Sequence, residues 1–256
     1  MNTLELNEVQ HNIKIGAKCG ALTPNVIEDT IFTAYGEPIG FYMKQMPEKL
    51  CAFTNIANKE FLSANVPKSV MNRTSGEHGQ TEKIKQFSTI LGSIAPRPHM
   101  KRPYRSISRV HTDKRAHIFV KAMLLMAFES ERLIEKTIPI AYELHKAAFE
   151  NVPDQWRFGN IFTSSISNYN ISANYHRDTG NIRNTVNVII TKRLNATGGC
   201  LNLPDFNATI EQADNSILVY PAWRNVHGVT PIVPTFKGGY RNSLIFYPLK
   251  AFIGND

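Results

Sequence analysis

The pattern of apolar and polar positions changes character along the chain. Residues 1–95 mix short apolar pieces such as DTIFTAYG and IGFYM with polar segments, and NRTSGEHGQ at 72–80 reads as an exposed loop. The run APRPHMKRPYR at 95–105 is proline-rich and basic; its prolines exclude a helix, so it reads as a linker or a surface arm. A clear helical signal follows. TDKRAHIFVKAMLLMAFESERLIEKT begins at Thr112 and Asp113, both good N-cap residues, and ends before Pro139. A second helix, IAYELHKAAF, places Ile140, Leu144, Ala147 and Ala148 at i, i+4, i+7 and i+8, an apolar face that must cover something.

From Phe158 onward the period shortens. NIFTSSISNYNISANYH, TVNVIIT, CLNLP, SILVYP and RNSLIFYP are β-branched or aromatic runs separated by Gly, Asn, Asp and Pro. Many short strands with turn signals between them predict an all-β barrel or jelly roll. The expected fold class is α+β, a jelly-roll core covered by N-terminal helices. One domain is expected over residues 1–256, because neither half can bury its apolar surface alone. Its parts are a mixed, mainly helical segment at 1–157, with a basic arm at 95–115, and the core at 158–256.

Composition adds limits. Apolar content of 42% and charged content of 20% are those of an ordinary globular chain. No apolar run is long enough to span a membrane. The N-terminus MNTLELNEVQ lacks the basic-then-apolar order of a signal peptide, and three scattered cysteines suit free thiols. The expected location is the cytoplasm, and no obligate protein partner is evident. The net charge of +8 is concentrated: Arg97, Lys101, Arg102, Arg105, Arg109, Lys114 and Arg115 stand against Asp113 alone. Such a patch suits a polyanion, nucleic acid first, or else a solvated loop.

The candidate chemistry lies in ANYHRDTGNI at 173–182. Read as one extended strand, Asn168, Asn170, Ser172, Asn174, His176 and Asp178 share a face, opposite Tyr169, Ile171, Ala173 and Tyr175. A polar face turned inward implies a cavity; the alternative is an edge strand wetted on that side. His176 and Asp178 at i, i+2 could give two adjacent ligands to one metal, with His227 of NVHGVTP as the third. Two histidines and a carboxylate form the facial triad of non-haem Fe(II) oxygenases. His111-Thr112-Asp113 has the same His-x-Asp form but sits at a helix start, where Asp113 has a capping role. Fourteen residues after His227, Arg241 opens the apolar run SLIFYP and shares a strand face with Ser243. A rigid guanidinium there suits a carboxylate ligand, or else a buried Asp or Glu.

His176-Arg177-Asp178-x-x-Asn181, then GGCLNLP, HGVTP and Arg241-x-Ser243, resembles the TET/J-binding-protein family over roughly residues 160–248. The resemblance implies a double-stranded β-helix (jelly-roll, cupin-like) core and an Fe(II)- and 2-oxoglutarate-dependent dioxygenase, of compact phage or bacterial type. Such enzymes use O2 to oxidise the 5-methyl group of pyrimidines in DNA, here 5-methylcytosine first and thymine second, releasing succinate and CO2. It implies that His176, Asp178 and His227 hold iron, that Arg241 and Ser243 hold the distal carboxylate of 2-oxoglutarate, and that Asn181 contacts the base. Arg177 is a further substrate contact. Arg97, Lys101, Arg102, Arg105 and Arg109 would hold phosphates, and Arg183, Lys192, Arg193 and Arg224 could do likewise. Trp223 and Tyr175 could stack on a base or serve as core. The large animal enzymes' Cys-rich region is missing, as is a histidine shortly after Arg241-x-Ser243. Two alternatives stay open: the same chemistry on a prolyl or asparaginyl side chain, and a non-enzymatic jelly-roll binding module.

Overall fold

In the second half of the chain, strands that are neighbours in sequence repeatedly fall in different sheets. The structure, a computed structural model, describes residues 1–70 and 85–254. The loop read at 72–80, with His78, therefore lies outside the described residues. The elements are β1 (Asn2–Glu5), β2 (Thr30–Ala34), β3 (Glu37–Met43), α1 (Glu48–Leu62), β4 (Ser69–Val70), β5 (Phe87–Ile94), β6 (Ser106–Ile107), α2 (Arg109–Thr112), α3 (His117–Thr137), α4 (Pro139–Phe149), β7 (Ser164–Tyr169), β8 (Ala173–His176), β9 (Asn187–Leu194), β10 (Ala196–Gly198), β11 (Leu201–Leu203), β12 (Ala208–Ile210), β13 (Ile217–Tyr220), β14 (His227–Val229), β15 (Ile232–Pro234) and β16 (Tyr240–Tyr247). The larger sheet has the order β1-β2-β3-β13-β9-β16-β7-β5-β4, with β6 on β5; the smaller has the order β12-β11-β14-β8. From β7 to β16 the chain passes back and forth between these two, while β10 and β15 pair with each other in a separate two-stranded sheet.

Strand β9 shows why its sequence is a near-continuous apolar run. Val188 and Ile190 join the core under the helices, while Ile189 joins the one shared with the smaller sheet. A strand buried on both faces has no polar alternation. In β16 Leu244 and Phe246 take the helix side, leaving Arg241, Ser243 and Ile245 on the cavity side. Helices α1 and α3 cover the larger sheet through Phe61, Phe119, Met123 and Met126. The segment before residue 95 is more than a cover, since it gives β1 to β5 to the larger sheet. Among the described residues no helix is long and apolar enough to cross a membrane.

Several sequence expectations are corrected. The strand read through residues 168–178 breaks at Asn170, whose φ of 54° is left-handed. Asparagine tolerates that turn, and Asn170 Oδ1 accepts from Arg241 N at 2.8 Å. β7 thus stays in the larger sheet while β8 joins the smaller, and Asn174 bonds Gly16 O instead of sharing a polar face with Asn168. Helix α4 also turns its expected stripe outward: Ile140 and Leu144 are each 54% exposed. Its buried face is Ala141, Tyr142, His145 and Phe149. His145 decides this, because its Nε2 bonds Ile161 O at 2.8 Å and its Nδ1 accepts from Val186 N. The arm at 95–105 contains a short 3-10 turn, Pro98–Met100, and is fastened to the larger sheet by β6.

Asp113 is a cap, but of the short 3-10 turn Lys114–Ala116; Thr112 ends α2 and the long helix α3 starts at His117, later than expected. The Asp113 carboxylate accepts from Arg115 N and pairs with the Arg115 guanidinium at the turn that leads into α3. His111 is occupied as well: Nδ1 accepts from Gly92 N, and the ring packs edge-on against Phe158. This His-x-Asp pair is structural.

Candidate active site

β8 and β14 are antiparallel neighbours, and His176 lies directly across from His227. Their ring centroids are 4.2 Å apart. Asp178 lies just past the end of β8, in a turn fixed by its own N–H on Ala222 O and its carbonyl on Asn181 N. Asp178 Oδ1 is 3.5 Å from His176 Nε2 and 3.9 Å from His227 Nε2. One ligand atom from each of the three side chains falls within a 4.8 Å cluster.

The protons are placed by the surroundings. His176 Nδ1 faces Asn174 O at 2.7 Å, and His227 Nδ1 faces Asn225 O at 3.1 Å. A carbonyl only accepts, so each Nδ1 carries hydrogen and each Nε2 turns a lone pair toward Asp178. Asp178 Oδ2 accepts from Asn187 Nδ2 at 3.0 Å, and Asn187 Oδ1 accepts from Asn181 Nδ2 at 2.8 Å. The ring of Tyr220 stands edge-on to His227 at 5.4 Å.

Burial, aided by the neighbouring His176, holds the His227 imidazole down to about 4. Burial also pulls His176 down, but Asp178 favours a second proton on Nε2 and Asn174 O holds the one on Nδ1; together these outweigh burial, and His176 titrates above its ordinary value. At Asp178 burial pushes upward, yet the histidines and Asn187 prevail and the carboxyl stays below its usual range. The result is an anionic carboxylate beside imidazoles with lone pairs facing inward. Two imidazole nitrogens and one carboxylate oxygen suit Fe(II).

This cluster opens on a cavity of about 440 Å³ between the two sheets. Ile166, Ile189, Leu201, Val229 and Ile245 give it apolar walls. Arg241 and Ser243 project into it side by side, and both are buried. Arg241 Nη2 donates to Gln212 Oε1 at 3.3 Å, while its buried Nε has no partner. Burial, with the like charge of Arg193 directly across the β9–β16 register, lowers the guanidinium to about 9. Among the described residues no carboxylate pairs with it. A buried cation with an orphaned donor, facing a cavity, fits an incoming carboxylate.

The profile of the Tet_JBP family, described as the oxygenase domain of the 2OGFeDO superfamily, matches residues 92–250. The chain belongs to the Tet_JBP family. It is therefore an oxygenase that works with Fe(II), 2-oxoglutarate and O2. The match extends upstream of the motifs to take in the basic arm, α3 and α4. Among solved structures the chain is similar to NgTET1 in complex with 5mC DNA, with a TM-score of 0.58 and 15% identity, covering 94% of this chain and 84% of that one. It is also similar to a putative 2OG-Fe(II) oxygenase family protein from Caulobacter crescentus, with a TM-score of 0.50 and 11% identity, covering 81% and 74%. At such identities the likeness is one of fold. No curated protein sequence matches the chain.

The other expected site residues of this Tet_JBP chain are spread more widely. Asn181 is buried and lines the cavity, with its amide nitrogen committed to Asn187. Arg177 is exposed at the cavity mouth. Arg97, Lys101 and Arg109 are exposed, while Arg102 Nη2 donates to Ala95 O and Arg105 Nη1 to Gly254 O. Arg97 lies near enough to act on Tyr247, a cavity residue whose hydroxyl is raised by burial and by Asp178 and lowered by Arg97. Lys192 pairs with Asp214, and Arg224 approaches Glu8 and the Tyr35 ring, which leaves both occupied within the fold. Arg183 is exposed, whereas Arg193 bonds Gly198 O. Tyr175 is buried behind β8 with its hydroxyl on Asn202 Oδ1, so it does not face the cavity; Trp223 Nε1 is held by Thr185 O. Cys200 is buried, His145 is structural and His99 is exposed. Gly198, with a left-handed φ of 71°, lies so close to the neighbouring strand that a Cβ would meet Pro231 O at 1.8 Å.

Asn187, Tyr220 and Tyr247 were missed. Only Asn187 carried a signal, as the single amide inside the apolar run VNVII.

Proposed function

We propose that the protein hydroxylates the 5-methyl group of a pyrimidine in DNA, 5-methylcytosine before thymine. In this reading His176, Asp178 and His227 hold Fe(II), and Arg241 with Ser243 holds the distal carboxylate of 2-oxoglutarate. The observation that carries it is the cavity that joins the His-Asp-His cluster to an arginine lacking an acidic partner. The alternation of β7, β9, β13 and β16 with β8, β11, β12 and β14 between two sheets supports a double-stranded β-helix within a single domain.

Iron, 2-oxoglutarate and O2 together supply an oxidant able to convert a methyl group to hydroxymethyl, with succinate and CO2 as co-products. The chain contributes position and exclusion of water. Asn187 turns one Asp178 oxygen toward the histidines. Arg241 and Ser243 fix the co-substrate's far end, so that its other end meets the histidine cluster. The isoleucine-rich walls keep the space between them dry. A methyl group on a base in duplex DNA reaches such a cavity only if the nucleotide is flipped out or single-stranded. Asn181 and Arg177 line the cavity where the flipped base would enter, and the exposed residues of the basic arm would hold phosphates. NgTET1, of the same fold, was solved with 5mC DNA, which favours this substrate over a protein side chain.

The direct test incubates the protein with Fe(II), 2-oxoglutarate and duplexes containing 5-methylcytosine or thymine. Digestion and mass spectrometry should find a base that has gained one oxygen, in step with succinate. Succinate formed with peptide substrates but not with DNA would replace this reading with side-chain hydroxylation.

A further inference from the structure

The two histidines of the cluster are held by the same device. His176 gives its Nδ1 proton to Asn174 O, and the N–H of that same peptide unit, on Tyr175, donates to Ala17 O at 2.9 Å. His227 gives its Nδ1 proton to Asn225 O, and the N–H of that peptide unit, on Val226, donates to Asp205 Oδ2 at 3.0 Å. A peptide whose N–H is already donating accepts better at its carbonyl, because bonds in a chain polarise one another. Each histidine is thus oriented through one intervening peptide, as a carboxylate orients a metal-ligating histidine directly.

One outer anchor, Ala17, belongs to an irregular segment, residues 6–19, that lies before the family match; the other, Asp205, lies within the match and is held by that same segment. Gly16 N donates to Tyr175 O at 2.7 Å, which completes the pairing with β8 begun by Ala17. Val9 N donates to Asp205 O at 2.7 Å. His11 Nε2 bonds Asp205 Oδ1 at 2.6 Å, and His11 Nδ1 accepts from Ile13 N, so the Nε2 hydrogen points at the carboxylate. Asp205 Oδ2 also accepts from Asn225 Nδ2 at 2.9 Å. Cys19 closes the segment, fully buried with Tyr175 and Val226. It packs tightly on β14 at Gly228, where a Cβ would come 3.0 Å from the Cys19 Cβ and from the Tyr175 ring.

We infer that this N-terminal strap is a positioning element of the metal site: Ala17 grips the peptide unit that receives the Nδ1 proton of His176 directly, and His11 and Val9 hold Asp205, which grips the peptide unit that receives the Nδ1 proton of His227. The inference rests on the metal-site reading above.

The test uses the full chain and two readouts. The first is Mn(II) affinity, by electron paramagnetic resonance; the second is the ring-nitrogen NMR spectrum of the metal-free protein. Asp205→Ala should weaken Mn(II) binding by about tenfold or more. In the metal-free protein it should replace the single Nδ1–H tautomer of His227 by an exchanging mixture. Unchanged affinity and an unchanged tautomer would overturn the strap's role. Should Asp205→Ala not fold, His11→Gln decides by the same two readouts, with a few-fold weakening expected and no change overturning the inference. If the unaltered protein binds no Mn(II), the metal reading falls, while the tautomer's response to Asp205→Ala still judges the strap separately.

Discussion

Asn187 Nδ2 lies 3.0 Å from Asp178 Oδ2, and that bond determines which carboxylate oxygen faces the histidines. Asn181 in turn holds the Asn187 amide from the other side. Without the anchor, Asp178 is free to rotate about its side-chain bonds, and Oδ1 loses its fixed place between the two Nε2 atoms. Asn187→Ala is expected to weaken metal binding about 10- to 100-fold while the fold persists. Mn(II) titration beside thermal melting of the metal-free protein checks this. Undiminished affinity would remove Asn187 from the site.

Removing a ligand itself is a harsher change. His176→Ala or Asp178→Ala is expected to abolish succinate formation with the fold retained. Turnover equal to that of the unaltered protein would overturn the metal assignment.

Arg241 has a different signature. Its guanidinium is buried without an acidic partner, so its loss removes a charge-assisted contact with the co-substrate and leaves the metal ligands intact. Arg241→Ala should raise the 2-oxoglutarate concentration needed for half-maximal turnover about 10- to 100-fold. Succinate release measured across 2-oxoglutarate concentrations reads this. A co-substrate requirement that does not move would refute the role.

Much of this site was legible in the sequence, and the rest was hidden for physical reasons. Arg241 could be read because a cation entering SLIFYP needs an anion, whatever the fold. His176, Asp178 and His227 could be read from the order of the motifs, although Asp178 reaches the cluster from a turn just past β8 and not from the strand that the i, i+2 spacing predicts. The break at Asn170 could not, since an asparagine fits a strand or a left-handed turn equally, and only the bond to Arg241 N selects the turn. The outward stripe of α4 was hidden similarly. Ile140 and Leu144 offer a stronger apolar pattern than His145, but two buried hydrogen bonds to His145 fix the rotation of the helix. Asp205 gave no signal, because its partners His11 and Val226 are distant in sequence.

His145 also sets an acid limit on stability. Burial lowers its folded-state titration from 6.5 to about 4, so the unfolded chain binds the proton first as the medium is acidified. The stabilisation is therefore complete above about pH 6.5 and lost progressively toward pH 4, amounting to about 3 kcal/mol in all. His145→Gln should be less stable at neutral pH, having lost bonds to Ile161 and Val186, and should show a shallower decline on acidification. Urea midpoints at several pH values compare the two. Parallel curves would exclude His145 as the source.

DNA binding should depend on the exposed part of the basic arm. Arg97 and Arg109 are exposed, and Arg97 acts on the cavity residue Tyr247. Each phosphate neutralised by such a residue adds about 0.9 to the steepness with which affinity falls on a logarithmic salt axis. Arg97→Ala combined with Arg109→Ala is expected to reduce that slope by about two and to weaken binding to all sequences alike. Arg102→Ala should act chiefly on stability, because its guanidinium holds the backbone at Ala95. Fluorescence anisotropy across a salt series, with melting curves for each variant, separates the effects. A slope left unchanged by the double substitution would show that the phosphates are gripped elsewhere, with the exposed Arg177 and Arg183 near the cavity mouth the next residues to replace.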